Sequence, residues 1–383
     1  MHVTRRIRWL SHALAHVLLA TAVAIVLLTN VSWALRDNDL RDFGSFLASG
    51  RLAAKGTNPY SEDHPLIFML GDSAAINLNP PVSVVLFRLL APFDPDTLVA
   101  LWRLISFGLF VLCVVFLNYA EPEGYSLFRT TWACIMAGLW HTIELGQVYV
   151  PLLCLVVAAW FSLRSKRQIL TGVLLGALVA MRPQLVLWPA YLLVAGLWPT
   201  ATVAAITFCI LSALPLILCS PHIYAQWLAV ASSRTVLPVF NNSSLVSIAG
   251  RFGLTSWGYA ISGTLIIAFA VLIWKCKPSL QSVSALSIVG ALLIGPITWP
   301  GYTMFVLPIY WYSRETRLMR FAAMLLAIPI PIIGVFMRLS SQADAILGGV
   351  YGYALLLIAV HVALEARSPA NLCLQWQDRY EVP

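Results

Sequence analysis

Three carboxylates, Asp37, Asp39 and Asp42, fall within six positions at the head of a polar stretch, Asp37 to Tyr60, that follows a long apolar run. A carboxylate set beside a hydroxyl nucleophile takes up its proton, so each of the three is a candidate general base. After Asp42 the apolar positions Phe43, Phe46, Leu47, Ala48, Leu52 and Ala54 recur with helical spacing as far as Gly56. They predict a short amphipathic helix lying on a membrane surface. Asp42 opens that helix, where capping and the helix dipole explain an acid equally simply. Arg182 is the sharpest basic residue: it ends an apolar run and precedes Pro183, a costly place for a charge unless it is paired or faces a cavity. Guanidinium stays charged and binds phosphate bidentately, so a lipid phosphate or diphosphate is a natural partner, and snorkelling to headgroups is the structural alternative. His141 and Glu144 are three apart and share a helix face, either as a functional ionisable pair or as a mutually satisfied structural one. Asn241, Asn242, Ser243 and Ser244, with Arg251 nearby, form a further polar group that turn chemistry alone could explain.

These residues stand in a chain of 383 residues that is 60% hydrophobic and only 10% charged, with a mean hydropathy of +0.83. A water-soluble domain is excluded, and the class is all-α polytopic membrane protein, read as a single integral membrane domain over 1–383. The net charge of +8 is spread as single residues and short clusters between apolar runs, the pattern of orientation signals and not of a nucleic-acid surface. The seven cysteines, Cys113, Cys134, Cys154, Cys209, Cys219, Cys276 and Cys373, lack metal-ligand spacing and read as packing residues; no metal site is expected. The N-terminal apolar run is too long for a cleaved signal and reads as a retained helix.

About twelve membrane helices with both ends cytoplasmic accommodate the basic clusters, at about 12–35, 96–118, 128–143, 147–163, 169–182, 184–197, 200–219, 256–274, 280–297, 301–313, 320–338 and 347–364, with ten or eleven as the alternative count because the piece at 80–92 and the hairpin at 169–197 can be read either way. Two long extracytoplasmic loops follow, 36–94 and 220–255, the first containing a proline-bounded apolar piece, Pro80 to Pro92, too short to cross. Arg36, Arg41, Arg51, Lys55, Arg88, Arg182, Arg234, Arg251 and Arg338 then lie on or near the outer side, against the orientation bias.

Taken in order, several stretches resemble glycosyltransferase family 87, the polyprenol-phosphate-mannose-dependent mannosyltransferases. They are Asp42-Phe43, Gly56-Thr57-Asn58-Pro59-Tyr60, Asn79-Pro80-Pro81, Gly146-Gln147, Gly172 with Gly176, Arg182-Pro183, Asn242-Ser243-Ser244-Leu245 with Arg251, and Gly295-Pro296-Ile297-Thr298-Trp299. The resemblance implies a GT-C-type bundle in the plasma membrane with its active site on the extracytoplasmic side. It further implies transfer of one sugar from a polyprenyl-phosphate donor to a hydroxyl of a glycolipid or glycan acceptor. Asp42 takes the position of the family's essential acid, and Arg182 that of its basic residue before Pro; Arg251 is expected at the donor phosphate as well. Asn79, His141, Glu144, Gln147, Asn242, Ser243, Trp299 and Tyr302 are the substrate-binding candidates. No cofactor is expected beyond the lipid-linked donor. Two positions depart from the family pattern: Asn79 replaces a common Tyr, and Pro300-Gly301-Tyr302 replaces a His-bearing segment, so that either Tyr302 substitutes or the acceptor differs. A lipid-linked-sugar transporter or flippase, or a non-catalytic relative, are the alternative readings. The acids in a long loop and the lack of a visible internal repeat weigh against transport.

Overall fold

The computed structural model describes residues 2–35, 41–67, 69–70, 73–120, 126–233 and 241–367. Arg36, Asp37, Asp39, Arg234 and Cys373 lie outside them. The fold is a membrane protein built almost entirely of helices, with one two-residue antiparallel pairing of Met69–Leu70 on Ser73–Ala74.

Among the described residues, five helical segments are long and apolar enough to cross a bilayer, within Val17–Ala34, Pro95–Ala120, Trp198–Leu218, Thr255–Cys276 and Ser341–Ala366. Arg317–Ala327 and Ile330–Met337 make a sixth if their 77° bend is counted within one span. The twelve full crossings expected from apolar periodicity are therefore not reached by length, and the reason is local. The apolar run at 128–143 is broken at Met136, whose extended backbone (φ −63°, ψ 134°) separates Leu127–Ile135 from Ala137–Leu145. The run at 301–313 begins as the 3₁₀ turn Pro300–Val306, and Pro329 opens Ile330–Met337 after the bend. Prolines remove helix donors, and the residue before one is pushed out of the α region. Along Pro95–Ala120, Leu104, Leu112 and Val115 remain exposed, as a bilayer-facing surface requires.

The helix that follows Asp42 forms as Arg41–Ala54, but its apolar face is taken up by protein and not laid into lipid. Phe43, Phe46, Leu47 and Ala48 are buried. Phe46 stacks on Phe87 with ring centres 4.7 Å apart, and Phe43 meets Phe87 at 5.6 Å and Trp102 at 5.2 Å. Each such ring contributes about 1.5–3 kcal/mol by burial. The short apolar piece of the first loop is the partner in this packing: it forms the helix Val82–Arg88, consistent with a segment too short to cross. The close approach depends on Gly50, since a Cβ there would stand 2.4 Å from the backbone carbonyl of Phe87. Gly50→Ala should therefore lower stability by about 1–3 kcal/mol, read as a lower thermal unfolding midpoint of the detergent-purified protein. Gly108→Ala, with open space around its Cβ, should not lower it.

Candidate active site

Three side chains of the central polar cluster, Asp42, Gln147 and Arg182, are delivered by helix ends. The helix Arg41–Ala54 carries Asp42 in its first turn. Ala137–Leu145 ends at Gly146, whose left-handed conformation (φ 67°, ψ 34°) turns the chain back so that the Gln147 N–H bonds the Thr142 carbonyl at 3.0 Å. The Trp102 indole N–H holds the Gly146 carbonyl at 3.0 Å. Gln168–Met181 ends at Arg182, because Pro183 keeps the preceding residue out of the α region and Arg182 leaves the helix at φ −142°, ψ 87°. That helix is seated by Gly172 and Gly176, where a Cβ would stand 2.7 Å from the Thr200 carbonyl oxygen and 2.6 Å from that of Ala204, both in Trp198–Leu218.

These ends converge. Gln147 Nε2 donates to Asp42 Oδ2, and Arg182 Nη1 donates to Asn79 Oδ1. Asn79 is itself fixed: its N–H and side-chain amide both donate to Asn77 Oδ1, at 2.9 and 2.8 Å. Its carbonyl accepts from the Tyr60 hydroxyl at 3.0 Å. The Gly56–Tyr60 motif therefore ends one helix and anchors Asn79, with Gly56 at φ 73° and Thr57 Oγ1 on the Leu52 carbonyl at 3.0 Å. Burial pushes the Asp42 carboxyl above its ordinary value of 3.8; the Gln147 hydrogen bond and the charges of Arg41 and Arg182 oppose that rise without cancelling it.

Arg182 is 6% exposed. Its guanidinium carbon lies 4.8 Å from the Tyr149 ring centre and 5.1 Å from that of Tyr302. Its Nε and Nη2 have no hydrogen-bond partner among the described residues. A buried cation with two unused donors is a site for an anion.

The other sequence candidates are distributed around this centre. Glu144 pairs with Arg41 at 3.3 Å instead of with His141, while His141 stacks against Trp33 with ring centres 6.3 Å apart. Asn242 and Ser243 act as a clip: Asn242 Oδ1 accepts from Thr298 N at 2.9 Å, its amide donates to the Pro296 carbonyl at 3.0 Å, and Ser243 N donates to the Thr298 carbonyl at 2.8 Å. They hold the strand of chain that leads through Trp299 to Tyr302, whose N–H bonds the Trp299 carbonyl at 3.0 Å. Arg251 takes up different contacts, with Asp344 Oδ1 at 3.0 Å and the Asp344 carbonyl at 3.3 Å. Arg51 is used on the Phe93 carbonyl at 2.8 Å, Lys55 and Arg338 are exposed, and Arg88 is half-buried. Tyr149 was not legible as a site residue; its only sequence signal is its place two residues after Gln147. The described cysteines are unbridged, with Cys113 and Cys154 sulfurs 3.4 Å apart. Among the described residues no three His, Cys, Asp or Glu side chains converge as metal ligands.

The family model for glycosyltransferase family 87 matches residues 77–330, about two thirds of the chain. The matched stretch includes Asn79, Gln147, Arg182, Arg251 and Tyr302, and begins after Asp42. No curated protein and no solved structure matches the chain.

Proposed function

The chain belongs to glycosyltransferase family 87 and is a membrane glycosyltransferase, and from that premise we propose that it moves one sugar, mannose, from a polyprenyl-phosphate donor to an acceptor hydroxyl. The acceptor is a glycolipid or glycan on the outer face of the plasma membrane. One observation carries this reading: a carboxylate bonded to Gln147 and a buried guanidinium with two unused donors stand in one cluster.

In this reading the acceptor oxygen attacks the anomeric carbon as its proton passes to the Asp42 carboxylate. The bond from that carbon to the phosphate oxygen breaks with inversion, and one carboxylate suffices for a single displacement. Polyprenyl phosphate leaves with the bonding pair, and Arg182 meets the charge that gathers on it. A base whose pKa lies above the ordinary carboxylate range is better matched to a hydroxyl proton near neutral pH. Arg251, engaged with Asp344, is assigned a supporting role near the second loop.

The architecture we propose for this activity is a GT-C-type bundle of about twelve crossings in one membrane domain, with loops 36–94 and 220–255 outside. The long helices and the bent pair supply six of these. The shorter apolar helices Tyr149–Arg164, Gln168–Met181, Pro183–Val194 and Leu280–Ile294, with the broken segments 127–145 and 300–312, supply the rest. At 1.5 Å per residue, 14 residues reach only about 21 Å, so such short helices cross with the help of the turns that flank them.

The test is direct: purified protein supplied with polyprenyl-phosphate mannose and a range of acceptors should release polyprenyl phosphate. No turnover with any lipid-linked sugar would sink the reading. The pH profile adds a signed expectation. Activity needs the charged carboxylate, so kcat/KM should fall as pH drops through a limb lying above the usual Asp range. Gln147→Leu removes a contact that favours the charged form, so it should move that limb to higher pH.

A further inference from the structure

The surroundings of Arg182 are unusual for a buried charge. Among the described residues it makes no ion pair; its one side-chain hydrogen bond goes to the neutral Asn79 carbonyl oxygen, and its closest organised neighbours are two rings. The Tyr149 and Tyr302 ring centres are 4.5 Å apart, close to the 4.8 and 5.1 Å that separate each from the guanidinium carbon. Three nearly equal separations put both rings on the same side of the guanidinium carbon, as a cradle. The Nε and Nη2 nitrogens of the same group are buried and have no hydrogen-bond partner among the described residues. Those two N–H groups point in parallel and suit two oxygens of one tetrahedral anion.

The sequence permits this cradle at one glycine. A Cβ on Gly301 would stand 2.4 Å from Tyr149 Cδ2 and 2.7 Å from Thr142 Oγ1, so a residue other than Gly would displace the Tyr149 ring. The Asn242 clip on Pro296 and Thr298 fixes the run of chain just before it. Rings attract a desolvated cation, while taking a charge out of water costs more than one such contact returns. The cradle thus holds the guanidinium in place beside the Asp42 carboxyl and leaves its Nε and Nη2 donors without a partner among the described residues, free to take an anion.

We propose that Tyr149 and Tyr302 are positioning residues whose rings orient Arg182, so that its Nε and Nη2 edge grips the phosphate of the lipid-linked donor and of the departing polyprenyl phosphate. This rests on the donor chemistry proposed above. The ring of Tyr302, and not its hydroxyl, carries the effect.

The experiment measures binding of a short-chain polyprenyl phosphate to the full-length protein in detergent, together with donor KM and kcat. Tyr302→Phe should bind within about threefold of the parent, and Tyr302→Leu should weaken binding about tenfold or more and lower kcat/KM for the donor by at least as much. Tyr302→Met serves as a second ringless variant should the first not fold. In an Arg182→Gln background the loss of the ring should have no further effect, because the rings act through that residue. Equal losses for Phe and Leu, an unchanged Leu variant, or losses that add in the Arg182→Gln background would each overturn the cradle. If the parent protein binds no polyprenyl phosphate, the donor chemistry itself falls, and the cradle's ligand with it.

Discussion

Asp42→Asn should lower sugar transfer by about 10²–10⁴-fold while leaving donor affinity nearly unchanged. Asn is isosteric and its Oδ1 still accepts from Gln147 Nε2, so the contact that ties the first loop to the Gly146 turn survives. Only the ability to take a proton is lost. The neighbouring Arg41–Glu144 ion pair at 3.3 Å continues to hold the start of the helix against Ala137–Leu145, so the variant should fold as the parent does. Comparing initial transfer rates with polyprenyl phosphate binding checks this. Near-normal transfer would move the base to Asp37 or Asp39.

Arg182→Gln should have the second large effect, a loss of kcat/KM for the donor of about 10²–10³-fold, in the range seen when one preorganised donor to developing charge is removed. The amide retains a donor for Asn79 Oδ1 and gives up the charge and the parallel N–H pair. The effect on stability should run the other way. A buried guanidinium with no direct ion pair among the described residues, met through space by the Asp42 carboxyl, carries a desolvation cost that is only partly offset. Removing it should leave the thermal midpoint unchanged or raised. Steady-state kinetics over donor concentration, alongside thermal unfolding, separate this from a structural role, for which activity and midpoint would fall together. Donor dependence unchanged from the parent would return Arg182 to packing.

The two effects fall on residues of unequal legibility. Arg182 stands out in the sequence because a charge before Pro183 at the end of an apolar run needs an explanation. Asp42 does not: with Asp37 and Asp39 it forms a set of three similar acids, and it was the family resemblance that singled it out. The structure supplies an independent physical distinction, the Gln147 contact. Arg251 looked like a companion to Arg182, yet it is engaged by Asp344, 93 positions away, on the exposed helix Ser341–Leu347. His141 and Glu144 share a helix face as their spacing says, but Glu144 finds Arg41, 103 positions away, and His141 finds Trp33.

By itself the sequence determined the membrane class, the short helix after Asp42, the turn at Gly146, the break before Pro183 and the order of motifs that marks the family. Composition, apolar periodicity and the backbone limits of Gly and Pro are local properties, and each is written where it acts. The tertiary structure decided how the long apolar runs are broken and bent, that the apolar face of Arg41–Ala54 packs on Val82–Arg88, and which polar groups meet. Tyr149 entered the site only there. Contacts such as Asp42 with Gln147 and Arg182 with Asn79 join positions 105 and 103 apart. They depend on how helices are docked and how closely glycines let them approach, and no local pattern in one chain encodes the partner.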